Sequence, residues 1–245
     1  PRFQPDVDFR HLAAIGIAVA VSALADRWMD DAAIPAGATF GQWLAHALLL
    51  HNLLGFEALS AGVWYIAIDF QLFALMAVLL WAGRRRFVAP ALVLLVAVAS
   101  LFWFNRDASL DKWAIYFFGS YGLGAAAWWA SDRRQLAFWL GAIATVAIAA
   151  LVFDFRLRIA LSLTVALLLG FGRRHGFLER WPNAGPLAFL GQISYSVFLL
   201  HFPVLLLVNS LYFQLGWSSP LSVIFGLFLG LTVSIVVATL FHRWV

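Results

Sequence analysis

Apolar residues run through this chain in long blocks that short polar stretches separate. A helix that crosses a bilayer needs about 20 mostly apolar residues, whereas the strands of a membrane barrel would alternate in segments of about ten. The blocks do not alternate, so they predict spanning helices. We place eight spans, near 9–29, 62–83, 87–104, 112–130, 135–153, 157–172, 187–210 and 219–241. The pattern therefore predicts an all-α fold, a polytopic transmembrane helical bundle.

The segment from Asp30 to Ala61 is the longest connection on the predicted outer side. It contains the breaker IPAG and then FGQWLAHALLLHNLL, which is too short to cross a membrane comfortably. We predict that residues 40–54 form a short helix that lies at the outer interface or dips into the membrane. His46 and His51 are five residues apart in it and fall on different helix faces, which argues against a metal pair, and we predict no metal site.

The composition supports a membrane protein. Hydrophobic residues make up 64% of the 245 residues and charged residues 11%, against roughly 45–50% and 25% in soluble domains. The chain has no cysteine, so thiolate metal sites and cysteine nucleophiles are excluded. The net charge is +4, but the arginines lie in short clusters between apolar blocks, which indicates a topology signal and membrane lipids as partners, not nucleic acid.

The clusters predict the orientation, because cytoplasmic loops are enriched in Lys and Arg. With the N-terminus inside, eleven of the sixteen basic residues face the cytoplasm. These are Arg2, Arg10, Arg84, Arg85, Arg86, Arg133, Arg134, Arg173, Arg174, Arg180 and Arg243. The sequence thus predicts an integral, multi-pass protein of a bacterial plasma (inner) membrane with a cytoplasmic N-terminus. The basic loop 172–186 fits either anionic lipid headgroups or a phosphorylated cofactor.

Two ionisable residues lie well inside predicted spans, where an insertion cost of about 2.5–3.5 kcal/mol makes them candidates for function. Asp69 lies roughly 10 Å and His201 roughly 13 Å below the outer boundary, at 1.5 Å per residue. Their helices run in opposite directions. The similar depths predict that both side chains share one polar pocket in the outer half of the membrane.

Helical spacing places further polar residues beside these two. Tyr65 lies on the face of Asp69, and Ser194 lies two turns before His201 on the same face. An imidazole next to a carboxylate suits general-base chemistry, since the acid fixes the tautomer and stabilises the imidazolium. The alternative is that His201 and Ser194 only form packing hydrogen bonds within the bundle.

Four segments resemble the acyltransferase 3 family. PLAFLGQISYSVFLLHFPV resembles its penultimate span, and LLLHNLLGFEALSAGVWYIAIDFQLFAL is similar to its region with a tryptophan, an acid and an aromatic-Gln pair, here Trp64, Asp69, Phe70 and Gln71. The family more usually carries glutamate at the acid position. YFFGSYGLGAAA resembles its glycine-bearing middle span, and FHRWV resembles the start of its closing motif.

The resemblance implies a membrane acyltransferase that moves an acyl group, here an acetyl group, from cytoplasmic acyl-CoA to a hydroxyl of an extracytoplasmic saccharide or glycolipid. It implies acyl-CoA as the donor, no bound cofactor, and a glycan or glycolipid acceptor. We assign supporting catalytic roles to His201 and Asp69, with His201 a fallback base. The predicted substrate-binding residues are Trp64, Tyr65, Gln71, Ser194 and Tyr195.

One departure from the family concerns its first span, which carries an arginine and, further along, the histidine regarded as catalytic. Arg10 is followed immediately by His11, so that spacing does not occur here. The chain resembles the family from its third span onward. We therefore expect residues 1–245 to be a single domain and an N-terminally truncated view of a ten-span domain.

Two other classes of function remain open from the residues. A proton-coupled transporter or flippase would use Asp69 and His201 as a proton relay. Transporters often contain inverted repeats, and we find no repeat in this sequence. A non-catalytic membrane scaffold is the third class.

Overall fold

The computed structural model of the chain describes residues 5–28, 34, 39–84, 88–134, 136–178 and 185–244. Within these ranges the regular structure is helical and contains no strand. The α-helices are α1 (Pro5–Ala25), α2 (Phe40–Ala47), α3 (His51–Leu54), α4 (Ala61–Ala82), α5 (Val88–Phe102), α6 (Ala114–Ser131), α7 (Leu136–Phe153), α8 (Leu157–Arg174), α9 (Gly185–Leu215) and α10 (Pro220–Trp244). Two short 3₁₀ turns, Phe104–Arg106 and Ala108–Leu110, follow α5.

The predicted all-α architecture is confirmed, and each predicted span corresponds to one long helix. In the described ranges, five helices are long and apolar enough to cross a membrane. They are Gly62–Ala82, Val88–Arg106, Leu136–Phe153, Gly185–Leu215 and Pro220–Trp244. The helices α1, α6 and α8 are not in this set, and α8 carries Arg158, Arg173 and Arg174. That these three also cross the membrane stays a prediction.

The chain divides into two compact units, and the division falls within α4. Unit 1 consists of residues 1–67 and 183–245, and unit 2 consists of residues 68–182. Unit 1 thus contains α1, α2, α3, the start of α4, α9 and α10. Unit 2 contains the remainder of α4 and the helices α5 to α8.

In unit 1, α9 packs against α1 and α10. Its central core consists of Ala14, Leu199, Leu200 and Phe241. The guanidinium of Arg10, at the start of α1, donates to Nδ1 of His242, at the end of α10, over 3.0 Å. Nε2 of Gln214, at the end of α9, donates to the carbonyl of Trp28 over 2.7 Å. Hence α1 and α9 run parallel, and α10 returns antiparallel to both.

The prediction of one continuous helix over residues 40–54 is wrong, because the helical structure is interrupted between α2 and α3. Leu49 has a φ of 58° in this break, a left-handed conformation that L side chains rarely adopt. Gly55, with a φ of 76°, ends α3. The segment packs against α1, because Trp43 of α2 lies on a buried cluster of Ile15, Leu59 and Val63, and Ile15 is in the middle of α1.

In unit 2, α6 is the central helix and packs against α5, α7 and α8. The glycines of the segment YFFGSYGLGAAA let α5 approach closely. A Cβ added to Gly122 would lie 2.4 Å from Cβ of Ala97, and one added to Gly119 would lie 2.8 Å from a methyl of Leu101. Small residues at such positions favour close helix packing in membranes.

Apart from Asp69 in the interior of α4, the described charged residues of unit 2 lie near the ends of its helices. At the end where α6 meets α7, the guanidinium of Arg173 lies 3.2 Å from the Asp132 carboxylate and stacks over the Trp128 ring at 3.3 Å. Arg133, Arg134 and Arg174 are exposed at the same end. Of the predicted inner arginines, Arg2, Arg85, Arg86 and Arg180 lie outside the described residues, as do Asp30 and Asp31.

Candidate functional site

The imidazole of His201 is anchored to its own helix. Its Nδ1 lies 2.8 Å from the carbonyl oxygen of Phe198 and 3.3 Å from that of Val197. A carbonyl oxygen only accepts hydrogen bonds, so Nδ1 carries the proton and Nε2 of the neutral ring carries the lone pair. No described residue forms a hydrogen bond with Nε2, and the side chain is half-buried. The ring can therefore accept a hydrogen bond or a proton from a ligand hydroxyl.

The start of α4 lies directly against this part of α9. A Cβ added to Gly62 would lie 2.6 Å from the carbonyl oxygen of Phe198, so only glycine fits there. One turn on, the ring of Tyr65 meets the ring of Phe198 edge to face, with centroids 5.3 Å apart. The Phe198 ring in turn lies 5.9 Å from the His201 ring. Within unit 1 the structure thus brings Tyr65 and His201 to the same residue, Phe198.

A cavity of about 830 Å³ extends along α9 and α10 from Phe202, the residue after His201, to the turn between the two helices. Its lining near Phe202 is apolar and includes Leu206 and Leu227, whereas Asn209, Tyr212 and Trp217 line the part toward the turn. From Phe202 to the end of α9 at Leu215 the helix rises roughly 20 Å. The cavity has the size of a ligand site.

The other predicted residues of unit 1 have local contacts. The hydroxyl of Ser194 donates to the carbonyl of Gly191 at 2.8 Å, and the side chain is exposed. Tyr195 is half-buried and packs on the core that contains Leu199 and Leu200. Trp64 is half-buried near the start of α4.

The predicted residues Asp69 and Gln71 belong to unit 2. The carboxylate of Asp69 is exposed and has no hydrogen bond or ion pair with any residue that the structure describes. Gln71 connects α4 to the start of α6: its amide donates to the carbonyl of Lys112 at 3.2 Å, and its oxygen accepts from the N–H of Ala114 at 3.1 Å. Since Asp69 and His201 lie in different units, their shared pocket stays a prediction.

Two histidines, His46 and His51, form a buried stacked pair that was not predicted from the sequence. The rings of His46 and His51 stack with centroids 3.9 Å apart and planes 9° apart, and both side chains are fully buried. His46 donates from Nδ1 to the carbonyl of Gln42 at 2.7 Å, and its Nε2 accepts from the N–H of Leu59 at 3.0 Å. His11 contributes Nε2–H to the carbonyl of His46 at 3.2 Å. The two rings are five residues apart in sequence, and they can stack because the helix is interrupted between α2 and α3.

The histidine pair is held neutral. Burial lowers the pKa of His51 to about 4, and the nearby His46 and His11 add to that shift. Burial also lowers the pKa of His46, against the opposing effect of its hydrogen bond to Gln42. Both histidines lie in α2 and α3, which are not spanning helices. No group of three potential metal ligands occurs in the described ranges.

These features define a helical integral membrane protein with a histidine in α9 and a cavity along α9 and α10. A family model described as "Acyltransferase domain", the acyltransferase 3 model, matches residues 12–239. The chain belongs to the acyltransferase 3 family, as its motifs predicted, and the family establishes it as a transferase of acyl groups. No curated protein and no solved structure matches the chain.

Proposed function

We propose that this protein transfers an acyl group, an acetyl group in the simplest case, from cytoplasmic acyl-CoA to a hydroxyl of an extracytoplasmic saccharide or glycolipid. The family match supports acyl transfer in general. The observation that carries the more specific proposal is the geometry of His201, whose Nδ1 is held by the Phe198 carbonyl while Nε2 faces no partner in the described residues.

The acceptor side of the proposal rests on the cavity of unit 1. In the proposal the acceptor enters at the turn between α9 and α10 and lies along the cavity, whose lining includes Phe202. His201 directly precedes Phe202 in α9, and the proposal places the acceptor hydroxyl against its ring. Nε2 then takes the proton of that hydroxyl while the oxygen bonds to the acyl carbon. The carbon–sulfur bond of acyl-CoA breaks, and the sulfur receives the proton and leaves as coenzyme A. The Phe198 carbonyl stabilises the positive charge that develops on the ring, as a carboxylate does in other enzymes.

The donor side of the proposal rests on charge. Arg133, Arg134 and Arg174 are exposed at one end of unit 2, and guanidinium groups suit the phosphates of coenzyme A. Under the positive-inside rule this end is cytoplasmic, so the N-terminus of the chain is cytoplasmic as well. In the proposal Asp69 shapes the site. Trp64, Tyr65, Gln71, Ser194 and Tyr195 bind substrate.

The test uses the complete genomic reading frame, expressed in a host that presents the acceptor. We expect His201→Ala to lower acceptor acylation by about 100-fold, because a misplaced reacting group costs about that much. His201→Gln retains an acceptor atom and should lose less. Asp69→Asn should also lower acylation. Leu221→Ala, an exposed position on α10, serves as the control with unchanged activity.

The same system separates the other classes of function. Labelled acetyl-CoA is supplied to sealed vesicles, and label is followed both in the acceptor and as free solute inside the vesicles. Label in the acceptor supports the transferase. Uptake without acylation would instead establish a transporter, and neither signal would favour a scaffold. Full acylation by both His201→Ala and Asp69→Asn, at normal protein levels, would refute the proposed site.

A further inference from the structure

Three arginines gather around one buried asparagine at the end of unit 2 where α5 ends and α7 turns into α8. Asn105 is 1% exposed, and its side-chain nitrogen donates to the carbonyl of Tyr116 at 2.6 Å. Arg156 donates to the side-chain oxygen of Asn105. Arg158 donates to the carbonyl of Asn105 at 2.9 Å and to its side-chain oxygen at 3.1 Å. We call Arg106, Arg156 and Arg158 the arginine cluster.

The arginine cluster contains more positive than negative charge. Oδ2 of Asp154 lies 3.4 Å from Nε of Arg106 and 3.5 Å from Nε of Arg156. No carboxylate among the described residues forms a salt bridge with Arg158. Three guanidinium groups therefore share one carboxylate, and two positive charges remain without a counterion.

The other charged residues of this end do not remove the excess. The carboxylate of Asp107 accepts from the N–H of Ser109 at 3.0 Å and from its hydroxyl at 2.7 Å, so it is engaged locally. Asp111 and Lys112 are both exposed and of opposite sign. In the described ranges, neither Asp107 nor Asp111 forms an ion pair with the arginine cluster.

The excess charge is partly withdrawn from water. The side chain of Arg156 is 13% exposed and lies in the turn between α7 and α8. Burial lowers its pKa, and the charges of Arg158 and Arg106 act in the same direction, against the opposing effect of Asp154. Because Arg156 shares its one carboxylate with Arg106, an anion at this position would offset the remaining repulsion among the three guanidinium groups.

Donors remain unused in the arginine cluster. The guanidinium of Arg158 lies over the Tyr116 ring at 4.3 Å, and that of Arg106 lies over the Phe153 ring at 4.7 Å. Nε of Arg158 is buried and has no hydrogen-bond partner in the described residues. Its Nη1 and both terminal nitrogens of Arg106 also form no hydrogen bond there. Stacking holds the guanidinium planes. Nε of Arg158 is enclosed, so the donors that an anion can reach are Nη1 of Arg158 and the terminal nitrogens of Arg106.

We propose that the arginine cluster binds the phosphate group of a phosphate ester at the membrane surface. The excess positive charge attracts the negative phosphate group, and guanidinium edges match its oxygens. The position at the ends of spanning helices places the cluster at headgroup level. The phosphate can come from a phospholipid headgroup or from a free phosphate compound, and the experiment separates these two sources.

The experiment measures thermal unfolding of the purified full-length protein in a neutral detergent. Phosphatidylglycerol, diacylglycerol and inorganic phosphate are titrated separately. We expect phosphatidylglycerol to raise the melting temperature saturably at low ionic strength and diacylglycerol to have no such effect. A similar saturable rise with inorganic phosphate identifies a site open to free phosphate. A rise with phosphatidylglycerol alone identifies a headgroup site.

Substitutions locate the binding. Arg158→Gln and Arg106→Gln should each weaken the apparent affinity about tenfold or more, the loss of one charge-assisted contact. Arg106 forms only an exposed ion pair and a ring contact, so its variant is expected to fold even if Arg158→Gln does not. Asp154→Asn removes the competing carboxylate and should tighten binding. Arg84→Gln, an exposed arginine over Trp81, is the matched control with unchanged affinity.

The proposal is overturned by any of three results. These are an equal response to phosphatidylglycerol and diacylglycerol, an unchanged affinity in Arg106→Gln, and an equal loss of affinity in Arg84→Gln. Because none of these measurements uses acyl transfer, the outcome is independent of the proposed function.

Discussion

The stacked imidazoles of His46 and His51 depend on remaining uncharged. His46 has both nitrogens in hydrogen bonds, whereas both nitrogens of His51 are buried with no hydrogen-bond partner in the described residues. A proton on His51 would place a charge against His46, and no acid among the described residues forms an ion pair with either ring. The two rings therefore stack favourably only while both are neutral.

The stability of the protein should thus fall as the pH falls. The folded state keeps His51 neutral to a pKa of about 4, while the unfolded chain binds the proton near pH 6.5. Stability is therefore complete above about pH 6.5 and declines by about 3 kcal/mol toward pH 4 through this residue.

The variant His51→Phe keeps a ring for stacking and removes the titrating group, so its unfolding in detergent should depend less on pH between 6.5 and 4. His46, whose pKa is also lowered by burial, contributes to the decline that remains. Leu50→Ala, which changes no titratable group, should keep the wild-type pH dependence. An equal pH dependence in wild type and His51→Phe would contradict this explanation.

Gln71 has two candidate roles, one in connecting α4 to α6 and one in binding substrate. The sequence predicted it as substrate-binding, and in the structure its amide is occupied by the backbone of Lys112 and Ala114. Gln71→Leu should destabilise the protein by about 1–3 kcal/mol, because two backbone groups lose their partner. Gln192→Leu, at an exposed position of α9, should not.

Kinetics on the same variant decide between the two interpretations. A lower melting temperature with unchanged KM would show that Gln71 acts on the fold. An unchanged melting temperature with a raised KM for the acceptor or the acyl-CoA would show instead that it binds substrate.

The contact between α4 and α9 depends on one residue without a side chain. At Gly62 the backbone of α9 is so close that a methyl group would meet the Phe198 carbonyl at 2.6 Å. Phe198 also accepts the Nδ1–H of His201. The helix contact and the orientation of the imidazole therefore share one carbonyl group.

We expect Gly62→Ala to destabilise the protein by about 1–3 kcal/mol, the usual cost of overpacking. The variant should also lower acyl transfer, because the added methyl group displaces the Phe198 carbonyl that orients His201. Gly191→Ala is the matched control in α9, since its Cβ would meet nothing within 4 Å. Unfolding in detergent and acylation are measured for both. Equal melting temperatures for the two variants would refute the close contact.

The distribution of charge over the whole chain predicts its orientation in the membrane. The chain has no cysteine, so single cysteines can report the side of each loop, provided that any cysteine elsewhere in the reading frame is replaced. In intact spheroplasts, an impermeant maleimide should label Ser218→Cys. It should label Arg134→Cys only after lysis. Thr145→Cys, in the middle of α7, should be labelled in neither state.

The reverse pattern, with Arg134→Cys labelled in intact cells, would place the arginine-rich end of unit 2 outside. In that case acyl-CoA would have to bind elsewhere, and the donor side of the proposed function would fail. The orientation experiment therefore tests the transfer model independently of enzyme activity.

The helices were predictable because the bilayer leaves a chain few choices. A backbone in hydrocarbon must form its own hydrogen bonds, so long apolar blocks become helices whatever their partners. All eight predicted spans accordingly correspond to helices. The family was predictable from motifs around Trp64 and His201, since those residue types recur at set spacings.

The break at Leu49, the stacking of His46 on His51 and the arginine cluster were not predictable. Leu49 is not one of the residue types that commonly adopt a left-handed conformation, and the bend there accompanies the stacking of rings only five residues apart. The arginine cluster does depend on residues far apart in sequence, since Arg156 reaches Asn105 from 51 positions away. The hydrogen bond that sets the tautomer of His201 was also missed, although Phe198 lies only three residues earlier. Apolar patterning specifies helices because, in the bilayer, each apolar segment must satisfy its own backbone hydrogen bonds. The partners of polar side chains depend instead on which helices pack together in the tertiary structure.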